Sequence, residues 1–406
     1  MTSGLAWLDS SREDQQRIRD LLNLFSESES RDELGIGQVR DAFSELLFPG
    51  TSTLHTRARY LLIVPWCFQE AQRRGGRGAS LTGRVEQVER RIVGTLRAEG
   101  VTDGLIGRVA GVAVKNLPSV IYGSALLRYG IRTSDDPESL LGPGLADGAE
   151  VEELTDRVIG AWYPTLPPAP PGFPGQVEGG LDLGPAEARW LRERMLAVAP
   201  GTLLAHLLEV GHRPTADSAA PWEDPATGGA PEPPAADLRH AMLFSLAIHG
   251  AALLYNLIVA ERYEQAGLTG IEDPVRAYQE AFDRWAAQAA TTDGLKGWDR
   301  EAMWTSVTGQ NPRIASNPGA RLFVDTWLDA VVSGGAAAAA TDGGLRRLVE
   351  SRERTVKRAQ SRFVNDKLLG TWSGASGTGR LVFRWPQVRR ILTDIHDGVA
   401  VPDAVA

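Results

Sequence analysis

The sequence predicts a mostly α-helical protein, a multi-helix globular body with a small basic α+β module at its C-terminus. Three observations lead there. Apolar residues recur at helical spacing through most of the 406 residues. Glycine and proline cut that pattern into helix-length pieces. Charge then reverses near the end: between Arg346 and Arg390 twelve basic residues face only Glu350, Glu353 and Asp366, a net +9. The whole chain carries −8, so the remaining residues carry −17. A basic segment on an acidic body points to an anionic partner.

The first helix opens with Ser10 and Glu13 at capping-box spacing, followed by Ile18, Leu21, Leu22 and Phe25. A second runs from about Gln38 to Leu47 and is stopped by Phe48-Pro49-Gly50. A third carries Thr56–Tyr60 and is kinked or ended by Pro65. Helices are expected again over Thr82–Ala98 and from about Asp103 to Leu127. Pro164–Gly175 holds six prolines in twelve residues and must be extended, as a linker or a strap. Pro185 opens a helix to about Val198, where its missing N–H costs nothing.

Residues 211–236 are rich in Pro, Gly, Asp and Ala and read as a disordered or exposed loop. Ala241–Ala260 is free of charge for twenty residues, the length of a membrane span. Ser245, His249 and Asn256 share roughly one face of it, which favours a buried central helix with a polar seam. Further helices fall near Asp273–Ala290, Trp298–Val307 and Pro318–Val332. Gly334–Gly344 reads as a hinge, Leu345–Leu369 as an amphipathic helix, Leu381–Trp385 as a short strand and Gln387–Ile395 as a last helix. The expected domains are 1–163, a proline-rich strap or linker at 164–184, a central helical domain at 185–333, and the basic module at 345–406.

Composition excludes several classes. A single cysteine, Cys67, rules out an internal disulfide and a thiolate zinc cage, and fits a reducing, cytoplasmic setting. The N-terminus lacks a basic run followed by an apolar one, so no signal peptide is expected. Only four of 43 basic residues are lysine, a bias that lowers the functional weight of any one arginine. The six histidines form no metal-binding pair, and no serine elbow, phosphate loop or dinucleotide fingerprint occurs, so no catalytic residue, metal or cofactor is assigned.

Two binding sites emerge instead. Arg354, Lys357, Arg358 and Arg362 form a cationic helix stripe, joined by Arg380 and Arg384, with Trp372, Phe383 and Trp385 available to stack on bases. The alternative is that these arginines dock on the protein's own acids or on an acidic partner. Thr53, Thr56, Arg57 and Arg59 form a possible anion site at a helix start. Its alternative is a capped helix whose arginines pair with Asp32, Glu33 or Asp41. The glycine loop Gly374–Gly379 lacks the lysine and the following helix of a phosphate loop and reads as a flexible turn.

The residues also carry a family resemblance. Gly4–Asp9, Arg31–Gly37, Arg40–Phe43, Leu46–Thr53, Thr56–Tyr60, Val64–Trp66, Trp162–Pro164, Pro167–Pro174, the Leu246–Leu257 helix and Trp372–Trp385 together resemble an uncharacterised bacterial family, domain of unknown function 6361. The resemblance spans nearly the whole chain and implies no activity. It implies a context, since similar proteins occur beside helicase-like and nuclease-like genes in bacterial defence islands. The expected function is therefore a non-enzymatic accessory protein of an anti-phage or DNA-processing system that binds DNA, or a partner holding it. A metal-dependent nuclease with scattered acids and a structural docking subunit are the alternatives.

Overall fold

Tryptophan, more than any other residue type, locates the two cores of this protein. The computed structural model describes residues 32–74, 81–133 and 161–402. The helix expected over Ser10–Phe25 lies outside them. The chain divides into two units, each assembled from separated stretches: 1–43 with 239–381, and 44–238 with 382–406. Thirteen helices, the first of them α1 (Gly37–Leu47), account for most of the described residues, and among these no strand occurs, only an isolated antiparallel bridge between Arg132 and Trp162.

The first unit is built on α7 (Pro234–Gln265), of which residues 239–265 belong to it. Its apolar residues are buried all round, including Phe244, Leu254 and Ile258, so it is a core helix. Trp285 of α8 (Pro274–Thr291) donates to the Leu246 carbonyl, and Trp327 of α10 (Pro318–Gly334) to the Ala247 carbonyl. Gly250 makes room for this: a Cβ there would sit 2.1 Å from the Trp285 ring. α9 (Arg300–Gln310) adds Trp304, and α11 (Gly343–Lys357) packs on α10. The expected hinge before α11 is a short 3₁₀ turn, Ala336–Ala340, with three alanines buried against α8 and α10.

The second unit centres on α2 (Tyr60–Arg73), whose first eight residues are all buried. Pro65 stays inside this helix and does not end it. α3 (Leu81–Ala98) and α4 (Pro118–Arg128) pack against α2. α13 (Trp385–Ala400) packs on α5 (Pro185–Val198), which leads to α6 (Leu203–Glu209). The close approach of α13 to α5 needs Gly398, since a Cβ there would meet the Ala188 Cβ at 2.6 Å. The proline-rich segment is a strap: Trp66 donates to the Pro167 carbonyl, Thr95 to that of Pro174, and Phe173 meets the Trp66 ring edge-on.

Four expectations need correction. The helix proposed over Asp103–Leu127 begins only at Pro118, because Gly104, Gly107 and Gly111 adopt positive φ and turn the chain. The 211–236 segment is folded, held by the Asp224 carboxylate, which accepts from Ser218 Oγ, from the Thr215 amide and hydroxyl, and from the Ala226 amide. The helix proposed over Leu345–Leu369 stops at Lys357, where Arg358 takes φ +52°, and resumes only as the short α12 (Asp366–Gly370). The strand proposed at Leu381–Trp385, and with it the α+β character of the C-terminal module, is absent. Phe383 and Arg384 both have positive φ and turn the chain into α13, with Pro386 in its first turn.

Candidate functional site

Most of the C-terminal cations find partners inside the protein. The turn after α11 is set by Glu353, a buried carboxylate that accepts from Ser361 Oγ and, at 2.9 Å, from the Arg362 amide. That reversal carries Arg362 away from the helix, so the expected Arg354–Arg358–Arg362 stripe does not form. Arg362 instead donates to Glu33 at 3.0 Å and to the Tyr255 hydroxyl at 2.9 Å, and Lys357 lies 3.1 Å from the other Glu33 oxygen. Burial pushes the Glu33 carboxyl up. The hydrogen bonds and charges of Arg362 and Lys357 outweigh that and hold it below the ordinary value. Arg352 donates to the carbonyls of Leu34 and Gly35.

The same holds for Arg346, which pairs with Glu261. Within the second unit Arg384 bonds Glu45 and the Thr51 carbonyl, and Arg389 donates to the Ser218 carbonyl. Burial depresses the His249 pKa, and the charge of nearby Arg380 depresses it further. The expected stacking platform is also absent. Trp372 packs between Tyr263 and Tyr278, and Trp385 is fully buried against Phe48 with its indole N–H on Ser218. Phe383 is fully buried too. These rings are core, and no base can reach them.

A smaller cationic surface remains. Leu345, Val349 and Glu353 form the buried side of α11, and Arg347 and Arg354 lie on its exposed side. Seven residues separate them, which places them on one face about 10 Å apart along the axis. Arg358 is exposed at the helix end, and Lys367 on α12 is exposed as well. Among the described residues Arg347, Arg358 and Lys367 have no acidic partner, and Arg354 has only a loose 3.6 Å pair with Glu350. Arg347 and Lys367 were missing from the residues the sequence singled out. The signal for Arg347 was its seven-residue spacing from Arg354, opposite the apolar stripe.

The Thr53–Arg59 cluster is a loop, and α2 begins only at Tyr60, so the helix-start geometry of the anion reading is not present. Thr53 is exposed and Thr56 half-buried. The two arginines are buried and paired, though not with Asp32, Glu33 or Asp41. Arg57 Nε meets both Asp394 oxygens at 2.9–3.0 Å, while its other nitrogens reach Asp182 at 2.5 Å and Asp103 at 3.8 Å. Burial alone would lower the Arg57 pKa; the bonds to Asp394 and Asp182 hold it above the usual value. Arg59 binds Glu187 and the carbonyls of Glu178 and Gly180.

Arg57 lies on an open cleft of about 630 Å³ lined by residues 99–103, 176–182 and Arg390, which itself pairs with Asp103. Acids from distant segments thus do converge, as a nuclease would require, but Asp103, Asp182 and Asp394 each meet an arginine and Glu99 accepts from the Val177 amide. Among the described residues no group of three or more His, Cys, Asp or Glu is placed to hold a metal ion. Cys67 is fully buried, and burial pushes its thiol well above the ordinary value, so it is a packing residue.

No curated protein and no solved structure matches the chain. A family model described as a family of unknown function (DUF6361) matches residues 2–399, and the chain therefore belongs to that family.

Proposed function

We propose that the protein is a non-catalytic accessory protein that binds nucleic acid through the phosphate backbone, using the exposed face of α11 and α12. The observation that carries this reading is the set Arg347, Arg354, Arg358 and Lys367, cations left exposed on α11, its end and α12 while most other basic residues from Arg346 to Arg390 are held internally. Such a set supplies sequence-independent electrostatic attachment and no base reading, because the nearby aromatic rings are buried. We further propose, on the family resemblance alone, a role in a bacterial anti-phage or DNA-processing system beside a helicase-like or nuclease-like partner.

The test is a fluorescence-anisotropy titration of duplex and single-stranded DNA by the full chain and by an Arg347→Ala/Arg354→Ala/Arg358→Ala variant. Salt-sensitive binding that the variant loses is the expected result. Absence of binding at low salt would transfer this surface to a protein partner and end the nucleic-acid reading.

A further inference from the structure

Within the second unit the chain between α3 and α4 turns outward and presents a surface that is both cationic and apolar. Arg108 and Lys115 flank Val109, Ala110, Val112 and Ala113, all of them exposed. Val109 is 87% exposed and Val112 54%. A single exposed valine needs no explanation, but apolar residues gathered on one turn and ringed by charge mark a docking surface. The ring continues on α3. Arg90 donates to the Val112 and Val114 carbonyls, and a Cβ on Gly111 would sit 2.7 Å from Arg97 Nη1. Among the described residues Arg91, Arg97, Arg108 and Lys115 have no acidic partner. Residues 104–133 contain no acid at all.

Beside the turn runs an open groove of about 520 Å³. Gly94, Thr95 and Ala98 of α3 form its floor, Val112 one wall and Gly175 of the proline-rich strap the other, with Arg90 and Arg91 at its head. Bonds from α3 fix both walls: Arg90 holds the turn, and the Thr95 hydroxyl donates to the Pro174 carbonyl at 2.9 Å. Glu99, the one acid lining the groove, accepts from the Val177 amide. From Arg90 to Ala98 the floor runs about 12 Å along α3, a little over two helical turns. Shape and lining together select the occupant. A phosphate backbone would answer the cations but set its charge against Val109 and Val112. A flat lipid surface would reach the turn and miss the groove floor. A helix with aliphatic side chains on one edge and carboxylates beside them answers both, its aliphatic groups over Gly94, Ala98 and Val112 and its carboxylates toward Arg91 and Arg97.

We propose that this groove docks an acidic amphipathic helix of a partner protein. The inference is independent of the reading of α11. The probe is a labelled, blocked peptide of about four helical turns, with leucines at three- and four-residue spacing and glutamates beside them, titrated against the full chain by anisotropy. A counterpart carries glutamine in place of every glutamate. The glutamate peptide is expected to bind, and its counterpart about tenfold more weakly. Arg91→Ala/Arg97→Ala is expected to weaken the glutamate peptide by the same factor, the combined worth of a few partly exposed ion pairs. Gly94→Leu puts a side chain on the groove floor without changing charge and is expected to abolish binding. A Cβ at Gly94 would meet only Val112, at 3.7 Å, so Gly94→Ala keeps the fold and is the milder test, with a smaller loss. Arg347→Ala/Arg354→Ala/Arg358→Ala leaves binding unchanged. No binding of the glutamate peptide, equal binding of its counterpart, or binding that survives Gly94→Leu would each overturn the proposal. Phosphatidylglycerol vesicles that bind through Arg91 and Arg97 and displace the peptide would overturn it in favour of a membrane.

Discussion

The salt dependence of DNA binding separates what the sequence counts from what the structure leaves exposed. Each phosphate neutralised on duplex DNA contributes a slope of about −0.9 to log K against log salt. If all twelve cations from Arg346 to Arg390 met phosphate, the slope would be near −11 and affinity would fall more than about a million-fold from 50 to 200 mM salt. Cations already held by Glu33, Glu45, Asp103, Glu261 or backbone carbonyls cannot release counterions in this way. Arg380 is half-buried beside His249, so only Arg347, Arg354, Arg358 and Lys367 remain exposed, and the predicted slope is about −3.6 and the predicted loss over that range about 150-fold. Replacing the three arginines by alanine should flatten the slope to about −0.9, that of Lys367 alone. The assay is anisotropy of a labelled duplex of about two helical turns at four salt concentrations. A wild-type slope steeper than about −6, or a slope unchanged by the triple substitution, would refute this assignment of the surface.

Three further predictions follow from buried groups. Burial lowers both His55 and His249 to a pKa of about 4 from 6.5. The unfolded chain therefore binds protons that the fold refuses, and stability is expected to fall as pH drops from 6.5 toward 4, by up to roughly 3 kcal/mol per histidine; urea midpoints at pH 7.5 and 5 measure it, and equal midpoints contradict it. Glu89 is the opposite case: burial raises it to about 7 although the Ser119 amide and hydroxyl both donate to it. Its contribution is complete below pH 4.5 and is lost as pH rises to 7, so Glu89→Gln should raise the melting point at pH 8 and leave it nearly unchanged at pH 4.5; a fall at both values would show that the carboxylate itself is required. Gly250→Ala should destabilise by about 2 kcal/mol or more despite the better helix propensity of alanine, because its Cβ enters the Trp285 ring and that ring is held by Leu246. A gain in stability, read from chemical denaturation, would mean that the ring moves aside.

The helices were legible where periodicity and punctuation agreed. α5, α8 and α10 begin at proline, with φ preset and no amide to satisfy, close to where they were expected; α4 and α7 also begin at proline, but their starts were missed, because the glycine turns before Pro118 and the folded segment before Pro234 were not legible. The polar seam of α7 was legible as well, since Ser245, His249 and Asn256 interrupt an otherwise apolar run. The glycine-rich loop that Asn256 holds at Ser376 was not, because nothing in the sequence says which backbone a buried amide will bond. Charge was the least legible property. Arg362, Arg384 and Arg390 sit in a local excess of cations, but their partners Glu33, Glu45 and Asp103 lie 329, 339 and 287 residues away. The strand expected at Leu381–Trp385 failed for a local reason: an apolar run fits a strand, a core turn or a helix start alike, and the positive φ of Phe383 and Arg384 is invisible in residue type.

The interleaving of the two units bears on how the chain is born. Each unit closes only when a late segment returns to an early one: Arg352 to Leu34 and Gly35 in the first, Arg384 to Glu45 and Asp394 to Arg57 in the second. At roughly 5–20 residues per second on the ribosome, the 339 residues between Glu45 and Arg384 take about 17–70 seconds to appear. For that interval the faces of α5 and α6 awaiting α13 stay open to solvent and to other chains. Completion of the second unit thus waits on the final stretch of synthesis, and a nascent chain stalled short of α13 would present a finished first unit beside an unfinished second core.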